Sequence, residues 1–159
     1  MTPPAALAID LDAVLGDTHR LWDDWLAETG RVLGVDPATL PADRGEAATL
    51  LDSGEAGNWR TLLARFAEER APVYLRPGAD ASAALRRLAA AGTQVGVFTD
   101  APAELAHVAL AQLGATRRVD AVEAGTGALE RLLATLGAAT EVVWTREALG
   151  RAAQPSART

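Results

Sequence analysis

The first residues able to do chemistry are Asp10 and Asp12, which close an apolar run from Ala5 to Ile9. Such a run is long enough for a buried strand and too short for an ordinary globular helix. Side chains two apart on a strand point the same way. If the chain stays extended through Asp12, both carboxylates project from one side of the strand's C-terminal end, where open α/β sheets hold their ligands. A carboxylate can serve as a covalent nucleophile, a proton shuttle or a ligand for a hard cation. Two acids placed together repel each other unless a cation or a bound ligand offsets them. The start of the chain therefore reads as a site.

Composition narrows the chemistry. The chain has 159 residues, enough for one domain with at most a small insertion. It contains no cysteine, which excludes disulfides, thiol nucleophiles and thiolate metal sites. All 15 basic residues are arginine, so any reaction that needs a lysine cannot run here in its usual form. The net charge of −6 weighs against nucleic acid, whose phosphates need a basic surface. Aromatics make up only 4% of the chain, so Ala, Leu and Val must build the core. The N-terminal apolar run has no basic region before it and ends in acids, unlike a signal peptide. No apolar stretch approaches membrane-spanning length. These features predict a soluble cytoplasmic protein with no membrane contact.

The elements that must position the acids follow from periodicity. Asp17-Thr18 can open a helix, and Leu21, Trp22, Trp25, Leu26 and Val32 or Leu33 form its apolar stripe. Residues 42–58 are polar and Gly-rich, with at most a short helix near Glu46 to Leu51. Asn58 is placed to cap a helix bearing Trp59, Leu62, Leu63 and Phe66 on one face. Trp22, Trp25 and Trp59 read as apolar core. Pro72 to Gly78 reads as a linker. A helix over Ala81 to Ala91 leads to a second strand, Gln94 to Phe98, ending at Thr99-Asp100. A helix from Pro102 to Leu113, a strand over Val119 to Val122 and a helix over Ala128 to Leu136 come next. A strand from Glu141 to Trp144, a helix from Arg146 to Ala153 and a frayed tail from Gln154 complete the pattern. Strands alternating with helices predict a parallel sheet with right-handed crossovers. The first crossover is too long to be simple and carries its own helices, like an inserted all-α unit.

Ile9-Asp10-Leu11-Asp12-Ala13-Val14-Leu15 resembles the first signature of the haloacid dehalogenase-like (HAD) superfamily, with Ala13 where that family usually has Gly. The layout resembles it too: a Rossmann-like α/β core, strand one central, with a helical cap inserted after the first motif. The resemblance implies a core of residues 1–16 and 75–159 and a cap of residues 17–74. A further core strand often follows the last motif in the family, so this core reads as trimmed.

The resemblance implies roles. Asp10 would be the nucleophile that forms an aspartyl phosphate, and Asp12 the acid/base. Thr99, at the end of the second strand, would hold a phosphate oxygen, and Asp100 stands where many relatives carry Asn. Mg²⁺ would sit on Asp10 and Asp12. The family's third motif is a lysine just before the helix at Ala128, and this chain has Ala124-Gly125-Thr126-Gly127 there. Arg117, Arg118, Arg131 or Arg146 would have to replace it, and Arg is not a conservative exchange for Lys. Of these, Arg146 is the candidate for the phosphate or for pairing with the two acids. The fourth motif's acids are replaced by Thr145 and Leu149, with Trp144 in place of its Gly, leaving Glu147 as the nearby carboxylate for the metal. His19 lies near the cap hinge, where it could face the cleft but reads first as a solvent-exposed helix residue, and His107 reads as surface.

Two readings result. One is a Mg²⁺-dependent phosphomonoester hydrolase acting on a small phosphorylated metabolite, its activity weak or lost with the missing motifs. The other is a non-catalytic HAD-fold pseudoenzyme that binds a metabolite or a protein partner. The apolar surface of the cap would serve a homodimer as readily as a substrate.

Overall fold

The structure is a computed structural model and describes residues 3–155. Four strands form one parallel sheet: β1 (Ala6–Asp10), β2 (Gln94–Thr99), β3 (Ala121–Ala124) and β4 (Thr140–Val143). Their order is β3-β2-β1-β4, so β1 is internal, as expected, and Asp10 leaves the sheet between two neighbours. Asp10 stands in register with Phe98, and Ile9 with Val143. Among the described residues there are seven α-helices: α1 (His19–Leu33), α2 (Arg44–Ser53), α3 (Trp59–Tyr74), α4 (Ala79–Ala90), α5 (Ala103–Gln112), α6 (Ala128–Leu136) and α7 (Arg146–Ala152). The first four all lie between β1 and β2 in the chain.

The alternation of β1 divides the core. Ala8 faces α6, packing with Phe98, Ala128 and Leu132. Leu7 and Ile9 face the larger cluster, which runs on through Leu85, Leu88 and Leu105 into Trp22, Trp25 and Trp59. Gly96, in the middle of β2, admits α6 closely: a Cβ there would stand 2.6 Å from a methyl of Leu132. The three tryptophans pack against one another with ring centroids 5.3 to 6.5 Å apart and are almost wholly buried. They are core, as their spacing predicts. Among the described residues no helix is long and apolar enough to cross a membrane.

The structure departs from the sequence reading in three places. The chain does not stay extended through Asp12. It turns at Asp10 into one π-helical turn, Leu11–Leu15, closed by Gly16 N–H donating to the Leu11 carbonyl at 3.0 Å. Secondly, α2 is a full helix of 10 residues, begun by Asp43, whose Oδ1 accepts from Glu46 N–H at 2.9 Å. Thirdly, α3 runs through Pro72 to Tyr74 instead of ending before a linker. Pro72 lies on the exposed side of the last turn, while Ala67, Ala71 and Leu75 are buried on the other. That packing, and the Leu75 N–H bond to the Ala71 carbonyl at 2.8 Å, hold the turn despite the donor that proline lacks. Most of the predicted tail, 154–159, lies outside the described residues.

Candidate functional site

The π-helical turn swings Asp12 inward beneath the start of α1 and toward the end of β2. Four donors then converge on its carboxylate. Oδ1 accepts from Thr18 N–H at 2.8 Å and from Thr18 Oγ1 at 2.6 Å. Oδ2 accepts from Thr99 Oγ1 at 2.8 Å and from Arg44 Nη2 at 2.8 Å. A carboxylate offers about four lone-pair positions, so Asp12 is saturated. The Thr99 hydroxyl hydrogen goes to Asp12, while Thr99 Oγ1 itself accepts from Ala101 N–H at 3.2 Å.

Arg44 is the residue the sequence reading missed. Its side chain is 1% exposed, against the usual habit of arginine. Nη1 donates to Thr18 Oγ1 at 2.6 Å. Nη2 reaches both Asp12 and Asp100 Oδ1 at 2.8 Å, and Nε reaches the same Asp100 oxygen at 3.1 Å. The backbone N–H of Arg44 donates to Asp100 Oδ2 at 3.0 Å. Asp100 therefore takes the side chain and the first helical N–H of α2 together. The next residue, Gly45, is pressed onto the loop after β3. A Cβ there would stand 2.4 Å from Thr126 N and Oγ1 and 2.9 Å from the Gly125 carbonyl carbon. That loop is where the resemblance expects a lysine. A cation does reach the site, but from α2, far from the motif it replaces. The sequence carried a partial signal. Asp43 three residues before Glu46 is a capping pattern, and it makes Arg44 the first residue of a helix.

Electrostatics separates the two N-terminal acids. Burial pushes the Asp12 carboxyl up, but the Arg44 guanidinium and the Thr18 and Thr99 hydrogen bonds outweigh it and hold Asp12 below the ordinary value. Asp100 behaves the same way: burial raises it, and the Arg44 side-chain and backbone donors lower it further than burial lifts it. Asp10 is raised, first by burial, then by the charge of Asp12, with Asp100 adding to both. Among the described residues no ion pair reaches Asp10.

The other candidates scatter. Arg146 and Glu147 are exposed at the start of α7 and line a groove against Gly78, Asp80 and Arg87 of the α4 side. No ion pair joins Arg146 to Asp10 or Asp12, so the expected pairing is corrected: Arg44 pairs with Asp12 and with Asp100 instead, and not with Asp10. Arg117 and Arg118 are exposed beside a short 3-10 turn. Arg131 ties the loop after β3 from outside, donating to the Thr126 and Ala124 carbonyls and to Glu123 at 3.0 Å. Trp144 is half-exposed, edge-on to Phe98 at 5.2 Å. His107 is exposed, as predicted. His19 is exposed at the start of α1, as predicted, with Nδ1 2.5 Å from Asp17 and 3.7 Å from Asp12. Asp12, Asp17 and His19 are the described side chains that gather closely enough to share an ion; Asp10, Asp12 and Glu147 do not.

No family model and no curated protein sequence matches the chain. Solved structures do. CbbY from Rhodobacter sphaeroides, crystallised with phosphate, superposes with a TM-score of 0.65 at 17% identity, over 87% of this chain and 76% of that one. A haloacid dehalogenase-like hydrolase family protein from Streptococcus pneumoniae gives 0.56 at 14% identity, over 98% and 93%. A dehalogenase captured with an intermediate gives 0.52 at 16% identity, over 96% and 83%. Identities this low speak to fold alone, and they agree with the sheet order and the inserted helices: the protein has the fold of the haloacid dehalogenase-like superfamily.

Proposed function

We propose that this is a HAD-fold protein, descended from phosphohydrolases, that binds without turning over phosphomonoesters at an enzyme's rate. One observation carries the reading: four donors saturate Asp12. An acid/base residue must give up and take back a proton near working pH. Asp12 is held ionised below the ordinary carboxylate range, with no lone pair free for a proton. The carboxylate that would shuttle the proton is a structural acceptor instead.

Mg²⁺ does not fit the residues present. A hard cation wants several oxygen ligands. Both Asp12 oxygens are taken, and a guanidinium nitrogen stands 2.8 Å from one of them. The last motif offers Thr145 and Leu149 in place of acids, and Glu147 is not gathered with Asp10 and Asp12. Asp17 Oδ1 is engaged by the backbone and ring nitrogens of His19. In this reading residues 17–74 are a cap that closes on the core, small phosphorylated metabolites are the ligand class inherited by descent, and the protein works in the cytoplasm without nucleic acid.

The free state of Asp10 favours a second reading, a slow hydrolase with Arg44 standing in for the lysine. A partly buried carboxylate at the nucleophile position is paired with no cation among the described residues. The test is p-nitrophenyl phosphate with Mg²⁺, run on the wild type beside Asp10→Asn. Equal background rates are expected. Turnover that disappears in Asp10→Asn overturns the non-catalytic reading and supports the second.

A further inference from the structure

We infer that Arg44 is the built-in counter-cation of this site: its guanidinium stands at the Asp12–Asp100 carboxylate pair in place of a dissociable metal ion, and by doing so it fastens α2 over the strand ends. The inference rests on the contacts of Arg44 with Asp12 and Asp100, not on whether Asp10 turns substrate over.

The geometry does what a metal would do there. Asp12 follows β1 and Asp100 follows β2, and two like charges at adjacent strand ends need a positive group between them. Nη2 meets an oxygen of each at 2.8 Å, while Nε adds 3.1 Å to Asp100. Thr18 and Thr99 complete the shell, as oxygen ligands complete the shell of an ion. A buried charge survives only when it is paired and hydrogen-bonded, and Arg44 at 1% exposure meets that condition through these partners.

The difference from a metal lies in the attachment. A guanidinium cannot diffuse away, and it brings a helix with it. The Arg44 backbone N–H also bonds Asp100, and Gly45 sits where no Cβ would fit against Thr126. Lifting α2 therefore withdraws the cation and exposes the bare acids in the same movement. Closure of α2 and charge balance at the strand ends are one equilibrium.

The test follows the cation. The wild-type melting midpoint is expected to be unmoved by millimolar Mg²⁺ or by EDTA. Arg44→Ala should lower the midpoint by about 10 °C and speed amide exchange across residues 44–53. Millimolar guanidinium should recover part of that loss in Arg44→Ala, sodium chloride of equal ionic strength should not, and the recovery should vanish in the Asp12→Asn/Arg44→Ala double variant. A midpoint raised by Mg²⁺ in the wild type, an unchanged midpoint in Arg44→Ala, or recovery that is absent or matched by sodium chloride overturns the inference. If Arg44→Ala does not fold, Arg44→Lys against Arg44→Met decides. Slower exchange in α2 for Lys supports a charge-dependent fastening, and equal exchange overturns it. None of these readouts involves turnover, so they stand or fall apart from the phosphatase assay.

Discussion

The two sides of the sheet's C-terminal edge have diverged. On the β2 side, Asp12, Thr18, Thr99, Asp100 and Arg44 form a closed polar cluster in which every charge has a partner. On the β4 side, Trp144, Thr145, Arg146 and Glu147 are exposed and no ion pair ties them to the acids. Asp10 lies between, raised by burial and by its acidic neighbours and matched by no cation among the described residues. The difference teaches that the ion pairing with these acids gathers where β1 and β2 end and not beside β4. Phosphoryl transfer depends on positioning and on positive charge around the nucleophile, and here the buried guanidinium is paired with Asp12 and Asp100 and not with Asp10.

Removing Arg44 should break the contrast most strongly. Stripping one partner from a buried ion pair costs roughly 3–5 kcal/mol, so Arg44→Met should show a loss of that order in urea unfolding. The same variant should change the acid limb. Asp12 and Asp100 have folded values below the ordinary carboxylate value of about 3.9, so their contribution is full above that value and is lost as pH falls through the lower folded values. Wild-type stability should therefore fall steeply in that window, and Arg44→Met should show a shallower limb. A limb of equal steepness in both would detach the arginine from the two acids.

Gly45→Ala comes next. The new Cβ meets backbone at Thr126 and Gly125, which cannot swing aside as a side-chain tip can. Overpacking of this kind costs about 1–3 kcal/mol. Faster amide exchange in α2, with the strands unaffected, is the expected pattern. Uniformly faster exchange would mean that the contact supports the whole fold and not the docking of one helix.

Asp10→Asn should act in the opposite direction. Asp10 is raised, so the fold prefers it protonated and is opposed as pH rises through its folded value. At pH 7 the neutral amide should raise the melting midpoint by roughly 1–2 °C, small because the group is partly solvated. The gain should vanish below pH of about 3.9, where Asp10 is protonated folded and unfolded alike. A gain that persists at low pH would point to packing and not to charge. Arg146→Ala should do least: no change in midpoint or in the acid limb beyond error. A measurable loss would restore the β4 side to the site.

Much of this was legible before folding. The apolar run before Asp10, the tryptophan spacing and the alternation of strands and helices are local patterns, and the sheet order and the tryptophan core agree with them. The loss of the lysine and of the last acids was equally plain, because an absent residue needs no geometry to be noticed. What could not be read was the replacement. Arg44 lies in a polar, Gly-rich segment with no apolar stripe strong enough to mark a docked helix. Its partners are 26, 32 and 56 residues away in the chain. The same limit explains Asp12, whose alignment with Asp10 held only for an extended chain, whereas the π-helical turn sends it to Thr99.

The sequence by itself determined the fold class, the position of Asp10 at a strand end and the absence of lysine and of the last acids, since these depend on residue type and short-range period. Only the tertiary structure decided which positive charge answers the two acids. Charge pairing in a buried site acts through space, and the crossover from β1 to β2 is long enough to bring an arginine from α2 where no neighbouring residue could supply one.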